Sequence, residues 1–167
     1  HDDANRALMG SNMQKQATPC IVPQAPLVAT GIEEKAAHDT GRVVLAEDDC
    51  TVTYVDANRI VVKNSRGKEK EHKLVTFNRT NGFTAFHQRP SVDLGAKLKK
   101  GDVIADTSTS DQGQMALGQN MLVAFMTWSG SNYEDAIILS ERVVKQSRFT
   151  SIHAEEFVVN VRDTKLG

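Results

Sequence analysis

The chain has 167 residues, of which 40% are apolar and 25% are charged, and its formal net charge is -1. This composition is typical of a soluble globular protein with one or two compact domains. A free-standing nucleic-acid-binding domain would carry a strong basic excess, which is absent here. No apolar run approaches the roughly 20 residues of a membrane span, and the polar, acidic start at His1 is not expected to act as a signal peptide.

The two cysteines, Cys20 and Cys50, lack the close spacing of zinc ligands, so no zinc site is predicted. Two isolated thiols are typical of a reducing cytoplasm, and a single disulfide between them is the alternative. The chain begins without Met in a helix-like segment and ends at Gly167 without a tail. We interpret these ends as the mark of a segment taken from a longer chain.

The first half of the chain predicts one helix followed by short strands. Residues 2–16 are expected to form the helix, with Asp2 or Asp3 as its cap and Pro19 beyond its end. Prolines and glycines predict irregular structure over 17–41. Segments rich in Val, Ile, Thr and aromatic residues then predict strands, with a turn at 56–58 and a polar hairpin tip at 64–72. The six predicted strands cover residues 42–46, 51–55, 59–63, 73–77, 84–87 and 103–106.

The second half predicts a few more strands and one helix. Lys97, Lys99 and Lys100 surround a glycine-bounded turn, which we interpret as a solvated turn in preference to a phosphate site. Beyond it, the pattern predicts a mainly β protein with one or two short helices. In chain order it comprises a polar connector at 108–118, a strand buried on both faces at 121–127, a turn at 129–132, a short strand leading into a helix near 140–146, and strands at 149–152 and 157–161.

Two places in the chain are candidates for chemistry. Glu134 and Asp135 follow a predicted turn, and adjacent carboxylates can approach Mg²⁺ through its retained waters. Neighbouring side chains of a strand point to opposite faces, so both reach one ion only if the chain bends there. Arg6, on a rigid helix, suits a triphosphate, because guanidinium offers planar charge-assisted donors. The alternative is an exposed arginine or an ion pair with Asp2 or Asp3.

Several blocks of the sequence closely resemble the β subunit of bacterial DNA-directed RNA polymerase. The first is His-Asp-Asp-Ala-Asn-Arg-Ala-Leu-Met-Gly-Ser-Asn-Met-Gln at residues 1–14, and another is Asn-Tyr-Glu-Asp-Ala-Ile-Ile-Leu-Ser-Glu-Arg at 132–142. The blocks occur in the family's order and span the whole chain, which argues against chance. The remaining blocks are residues 116–120, 123–126, 150–153 and 162–167.

The resemblance implies an architecture in three parts. Residues 1–30 would be a helix and the entry to a barrel, and residues 31–107 would be an inserted barrel-sandwich hybrid module. Residues 108–167 would supply strands and a short helix of a double-psi β-barrel, which is incomplete within this chain. The run Lys-Lys-Gly-Asp-Val-Ile-Ala at residues 99–105 is also similar to turns of lipoyl-type hammerhead domains.

The resemblance also implies roles for particular residues. Arg6 would contact the triphosphate of the incoming nucleotide, and Asn12 and Gln16 would line the RNA path. Glu134 and Asp135 would lie near the second Mg²⁺, with contact through water. The principal Mg²⁺ of this family is held by aspartates of the β′ subunit, and no Asp-Phe-Asp-Gly-Asp run occurs here. The segment alone is therefore expected to be inactive.

A β-subunit segment implies a cytoplasmic, nucleoid-associated transcription enzyme, a nucleotidyltransferase, without membrane contact. The implied partners are the β′, α and ω subunits, sigma factor, DNA template, RNA transcript and nucleoside triphosphates.

The chain departs from the family's usual pattern at a few positions. Thr127 stands where proline is usual, Ser131 where a bulkier residue is usual, and Lys15 where arginine is usual. The run from Asp106 to Asp111 replaces Asp-Gly-Pro-Ser-Thr-Asp. Loss of the proline is expected to loosen the turn that aims Glu134 and Asp135.

Two other functions remain as alternatives. One is a stand-alone hammerhead-type carrier or binding module, although the lysines lack the Met-Lys-Met or Asp-Lys-Ala setting of a modified lysine. The other is a small metal-dependent phosphohydrolase using Glu134, Asp135 and His153, which would need further carboxylates.

Overall fold

The structure is a computed structural model, and it describes residues 1–165. Over these residues the chain is mainly β, as predicted, with antiparallel strands and few helices. The helices are α1 (Asp2–Gln14), α2 (Glu33–Asp39) and α3 (Glu141–Lys145). The strands are β1 (Val44–Leu45), β2 (Cys50–Val55), β3 (Arg59–Asn64), β4 (Glu69–Lys73), β5 (Asn78–Arg79), β6 (Ala85–Phe86), β7 (Gln88–Pro90), β8 (Lys97–Leu98), β9 (Val103–Thr107), β10 (Ser110–Asp111) and β11 (Gln114–Met115).

The core lies between a four-stranded sheet of order β4-β3-β2-β8 and a three-stranded sheet of order β1-β9-β7. The alternating apolar residues of β2 and β3 bury Val52, Ile60 and Val62. They join the fully buried Ile104 and Ala105 of β9 in one apolar cluster. Burial of this cluster is the main source of stability that the described fold offers.

The turn between β2 and β3 is set by its own sequence. One carboxylate oxygen of Asp56 accepts hydrogen bonds from the backbone N–H groups of Asn58 and Arg59, each at 2.7 Å. An aspartate that satisfies the backbone of the following residues is a strong local turn signal. The predicted turn at 56–58 is thereby confirmed.

A buried carboxylate organises the segment after β9. Asp106 is only 3% exposed and accepts hydrogen bonds from the hydroxyls of Ser91 and Ser110 and from the backbone N–H groups of Gln112 and Gly113, at 2.8–2.9 Å. The Ser110 hydroxyl in turn accepts from the N–H of Thr107. Within the polar connector predicted at 108–118, the structure has a tight β10–β11 hairpin around this carboxylate.

Gly113, in the turn between β10 and β11, has no room for a side chain. Its φ is +76°, and an added Cβ would lie 2.5 Å from Cγ2 of Val103 and 3.1 Å from Nε2 of His38. The close approach lets α2 lie against β11.

Helix α2 corrects the prediction of irregular structure over 17–41. Glu33 accepts hydrogen bonds from the N–H and hydroxyl of Thr30 and from the N–H of Gly31. Thr30 and Glu33 have the three-residue spacing of a capping box. The helix itself begins at Glu33, with Ile32 as an N-cap that makes no side-chain bond, so Glu33 holds the turn that precedes the helix. This signal is present in the sequence and was outweighed by the surrounding prolines and glycines.

Strand β4 corrects the predicted hairpin tip at 64–72 and the predicted strand at 73–77. It begins at Glu69 and pairs antiparallel with β3 along its whole length. Its residues are nearly all exposed and charged, and ion pairs cross to β3 at Lys63–Glu69 (3.8 Å) and Arg59–Glu71 (3.6 Å). Without apolar alternation, the sequence of this strand is indistinguishable from that of a polar loop.

The predicted strands at 121–127, 149–152 and 157–161, and the short one before α3, are wrong for the described residues. Leu122 and Phe125 are fully exposed, and no ladder includes these segments. An isolated bridge between Thr84 and His153 lies just after the segment 149–152 and outside the named strands. Consequently no barrel closes within residues 1–165.

The helix predictions hold with one correction. Helix α1 occupies most of the predicted 2–16, and α3 lies within the predicted 140–146, where the Ser140 hydroxyl accepts from the N–H of Arg142. Asp2 and Asp3 do not cap α1, whose N-cap is His1; both lie in its first turn. There their charges favour the helix dipole.

Both cysteines are buried free thiols, so the alternative of a disulfide is wrong. Among the described residues, the helices are too short or too polar for any of them to traverse a bilayer.

Candidate functional site

The predicted site residues lie on two exposed segments. The first is α1 with the residues that follow it, which carry Arg6, Asn12 and Gln16. The second is the turn segment, defined here as residues 126–136, which carries Glu134 and Asp135.

Helix α1 presents its side chains to solvent along its whole length. It buries no residue, and its apolar side chains Leu8, Met9 and Met13 are 54–61% exposed. Within the described part of the chain, no ion pair joins Arg6 to Asp2 or Asp3. The guanidinium of Arg6 is therefore available to an anion from outside.

Asn132 closes the turn segment on itself. Its side-chain oxygen accepts a hydrogen bond from the N–H of Trp128 at 2.8 Å, and its side-chain nitrogen donates to the carbonyl of Met126 at 2.7 Å. These two bonds lie on either side of Thr127, the position where the family usually has proline. The turn is thus held by a side-chain clamp across the Thr127 position.

The backbone at the two carboxylates turns sharply. Glu134 has a φ of +58°, in the left-handed region that non-glycine residues seldom adopt. The N–H of Ala136 donates to the carbonyl of Tyr133 at 3.2 Å, which closes a turn over the pair. Because Glu134 and Asp135 lie in a turn and not in a strand, the alternation of strand side chains does not keep them apart.

The structure does not bring the other predicted metal-binding groups to this turn. In residues 1–165 no cluster of three or more His, Cys, Asp or Glu side chains is arranged to hold a metal ion. His153 instead lies 2.8 Å from the hydroxyl of Ser151. The described geometry therefore gives no support to the phosphohydrolase that would use Glu134, Asp135 and His153.

Sequence reasoning missed the part played by Asn132. The signal was a polar turn followed by Asn, a residue whose side chain readily bonds nearby backbone groups. What the sequence did not show is that the amide reaches back six residues to Met126.

Comparison with known proteins agrees with this picture. The family model described as RNA polymerase Rpb2, domain 6, matches residues 45–167. The chain belongs to that RNA polymerase family.

The similarity to individual proteins extends over all 167 residues. The chain is 56% identical to the DNA-directed RNA polymerase subunit beta of Chloroflexus aggregans, 54% identical to that of Enterococcus faecium and 53% identical to that of Thermosynechococcus vestitus. The alignments cover the whole of this chain and 14–15% of the length of each relative. The resemblance seen in the sequence blocks is confirmed.

Proposed function

We propose that the chain acts as a segment of a bacterial RNA polymerase β subunit and forms one wall of the active centre for template-directed RNA synthesis. The observation that carries this proposal is similarity over every part of the chain to a protein of which it spans about 14%. The exposed apolar residues of segments 121–139 and 149–161 support it, because such surfaces are normally covered by other polypeptide. The segment is inactive alone, since the principal metal ligands belong to another subunit.

In this proposal Arg6 binds the triphosphate of the incoming nucleotide. Phosphoryl transfer depends mostly on positioning and on stabilising charge at the phosphates. A guanidinium without an internal ion pair, held on a helix, supplies fixed donors for that purpose.

Asn12 and Gln16 are proposed to contact the RNA. Both are uncharged and exposed, and Asn12 lies on the same rigid helix as Arg6. With a rise of about 1.5 Å per residue, the six-residue interval places Asn12 about 9 Å further along the axis than Arg6. One element can therefore present a cation to the nucleotide and neutral hydrogen-bonding groups to a neighbouring part of the nucleic acid.

Glu134 and Asp135 are proposed to face the second Mg²⁺ through its bound water. Exposed carboxylates on a constrained turn fit this ion, which prefers oxygen ligands and keeps several of its waters. When bound, the ion would neutralise charge on the nucleotide phosphates. The contribution of this chain would be to hold the two carboxylates in place through the Asn132 clamp.

The wider assignment follows from the same family membership. We propose that 31–107 is a barrel-sandwich hybrid module, that 1–30 is the entry to a double-psi barrel, and that 108–167 belongs to a barrel completed by other parts of the subunit. The proposed partners are β′, α, ω and sigma factor, with DNA, RNA and nucleoside triphosphates, in the nucleoid of the cytoplasm.

The test is the substitution Arg6→Ala in the full-length β subunit assembled into polymerase. Loss of a charge-assisted contact of about 1.5–3 kcal/mol should raise the apparent KM for nucleotides by about 10- to 150-fold. Steady-state incorporation on a defined template measures this change.

Arg66→Ala is the matched control, because Arg66 is an exposed arginine in the turn between β3 and β4, away from the proposed site. It should leave the KM unchanged. An Arg6→Ala enzyme with unaltered KM and rate would remove Arg6 from the proposed role.

A further inference from the structure

A cavity of about 620 Å³ opens beside β5, β6 and β7, away from the proposed nucleotide-binding residues. Apolar side chains, including Ile21, Val22, Phe77 and Ile152, form much of its lining. Its size and largely apolar wall are those of a site that receives another molecule or another part of the same one.

Most polar groups that line the cavity are hydrogen-bonded to other parts of this chain. Arg89 donates to the carbonyls of Ile21 (3.4 Å) and Ser110 (3.2 Å), and Asp111 accepts from the N–H of Ala25 at 2.9 Å. The cavity is therefore braced by bonds between distant parts of the chain, and its one arginine is already engaged.

His87 is the exception. Its ring stacks on Phe77 with centroids 4.3 Å apart, and its Nδ1 is buried without a hydrogen-bond partner in the described structure. Burial, and secondarily the charge of Arg89, lower the pKa of His87, which favours the neutral ring. A buried unpaired nitrogen is costly, so an occupant with an uncharged polar group opposite it would be favoured.

We infer that this cavity receives apolar side chains from a segment of the same β subunit that lies outside residues 1–167, with one uncharged polar group of that segment hydrogen-bonded to Nδ1 of His87. The inference rests on the proposed function, because it requires the longer subunit. The chain spans about 14% of the length of its relatives, so most of such a subunit is available to supply the segment.

The surroundings of the cavity favour polypeptide over a small molecule. Ile21, Val22 and Phe77 are 47–61% exposed at its edge, and the apolar surface continues to Phe149, 49% exposed. The N–H of Ile21 donates to the carbonyl of Thr150 at 2.8 Å, which ties these two parts of the surface together. A ligand confined to the cavity would leave this wider surface in water, whereas a chain segment covers both. Nucleic acid is disfavoured by the apolar wall and the engaged arginine.

The experiment replaces Phe77 with the photo-crosslinking amino acid p-benzoylphenylalanine in the full-length subunit, assembled into polymerase. After irradiation and digestion, mass spectrometry identifies the crosslinked peptide. The expected product joins position 77 to a β-subunit peptide outside residues 1–167. The same replacement of Tyr54, which is 42% exposed on β2 and does not line the cavity, is the matched control and should not give that peptide.

Hydroxyl-radical footprinting of the unmodified enzyme provides a second measurement that does not depend on the substitution. Loss of Phe77 oxidation relative to the denatured subunit is expected. Oxidation equal to that of the denatured subunit would overturn the inference. So would a crosslink to another subunit or to nucleic acid, or no crosslink at all. Because transcription by the Phe77-substituted enzyme is assayed separately, an active enzyme that fails to crosslink would refute the cavity assignment and leave the proposed function standing.

Discussion

At the scale of single residues, Asp106 is the most heavily bonded side chain described. Both carboxylate oxygens accept two hydrogen bonds each, from Ser91 and Gln112 on one and from Ser110 and Gly113 on the other. A carboxylate is suited to this place because, when ionised, it accepts bonds at both oxygens and donates none. The hydroxyl-rich run that follows it is a departure from the family's usual sequence, and Ser110 supplies one of the four donors.

Asp106→Asn is therefore expected to destabilise the β10–β11 hairpin, although it preserves shape. The amide nitrogen would face two donors, and each buried donor left unsatisfied costs about 1–3 kcal/mol. Hydrogen exchange at the amides of Gln112 and Gly113 in the full-length subunit should become faster. Asp93→Asn, at an exposed aspartate, is the control and should leave these rates unaltered; equal protection in the two variants would show that Asp106 is dispensable.

Asn132 fixes the backbone of residues 126–128, a role that the sequence alone does not reveal. Asn in a turn predicts hydrogen bonds to its near neighbours. Here the side chain bonds the backbone on both sides of Thr127, four and six residues earlier in the chain. The turn at Glu134 follows directly after Asn132. The proposed metal-facing carboxylates thus depend on a neutral amide for their placement.

At the scale of elements, α2 is a short helix preceded by a turn that its first residue, Glu33, holds together. Hydrogen bonds from the backbone and hydroxyl of Thr30 and from the N–H of Gly31 stabilise the charged form of Glu33 and lower its pKa from 4.5 to about 2. The folded-state pKa lies below the ordinary value. The stabilisation is therefore present in full above about pH 4.5 and is lost as pH falls toward 2.

We expect the Glu33 carboxyl to titrate near pH 2 in an NMR titration of the 167-residue chain, well below its ordinary value of 4.5. Glu33→Gln removes the charge and should abolish the acid-dependent part of the stability of α2 between about pH 4.5 and 2. A midpoint for Glu33 at its ordinary value of 4.5 would contradict stabilisation of its charged form by Thr30 and Gly31.

Other elements show where local sequence is sufficient and where it is not. The β2–β3 hairpin was predicted within one residue at each end, because Asp56 and the apolar alternation are both local signals. Strand β4 was displaced in the prediction, because its charged residues pair with β3 and carry no apolar period of their own.

At the scale of the whole molecule, segments 121–128 and 157–161 have the composition of strands without being strands. They are apolar and exposed, with Phe125 and Val161 almost fully accessible. A strand requires a neighbour that satisfies its backbone groups, and none is provided by the described residues. This arrangement agrees with the proposal that the barrel is completed from elsewhere in the subunit.

Amides in these two segments are therefore expected to exchange rapidly in the 167-residue chain and to gain strong protection in the assembled polymerase. Hydrogen exchange followed by mass spectrometry measures both states. Amides of β2 and β3, which are bonded within the described fold, serve as the internal control and should be protected in both. If segments 121–128 and 157–161 exchange equally fast in the assembled enzyme, the proposal that they become barrel strands is wrong.

The candidate site was predictable only in its residue types. The motif blocks indicated Arg6, Asn12, Gln16, Glu134 and Asp135, and their roles remain predictions. The exposure of α1 and the left-handed turn at Glu134 could not be derived from spacing, because each depends on contacts that are made or missing elsewhere in the chain.

By itself the sequence determined the mainly β class, helices α1 and α3, the β2–β3 hairpin and the family, since each depends on local periodicity, turn chemistry or motif wording. Only the tertiary structure decided the Asp106 network, the placement of β4 and the lack of strands in residues 121–165. These features depend on hydrogen-bond partners that are distant in sequence or lie outside the described chain. An extended apolar segment is a strand only where another strand can bond to its backbone.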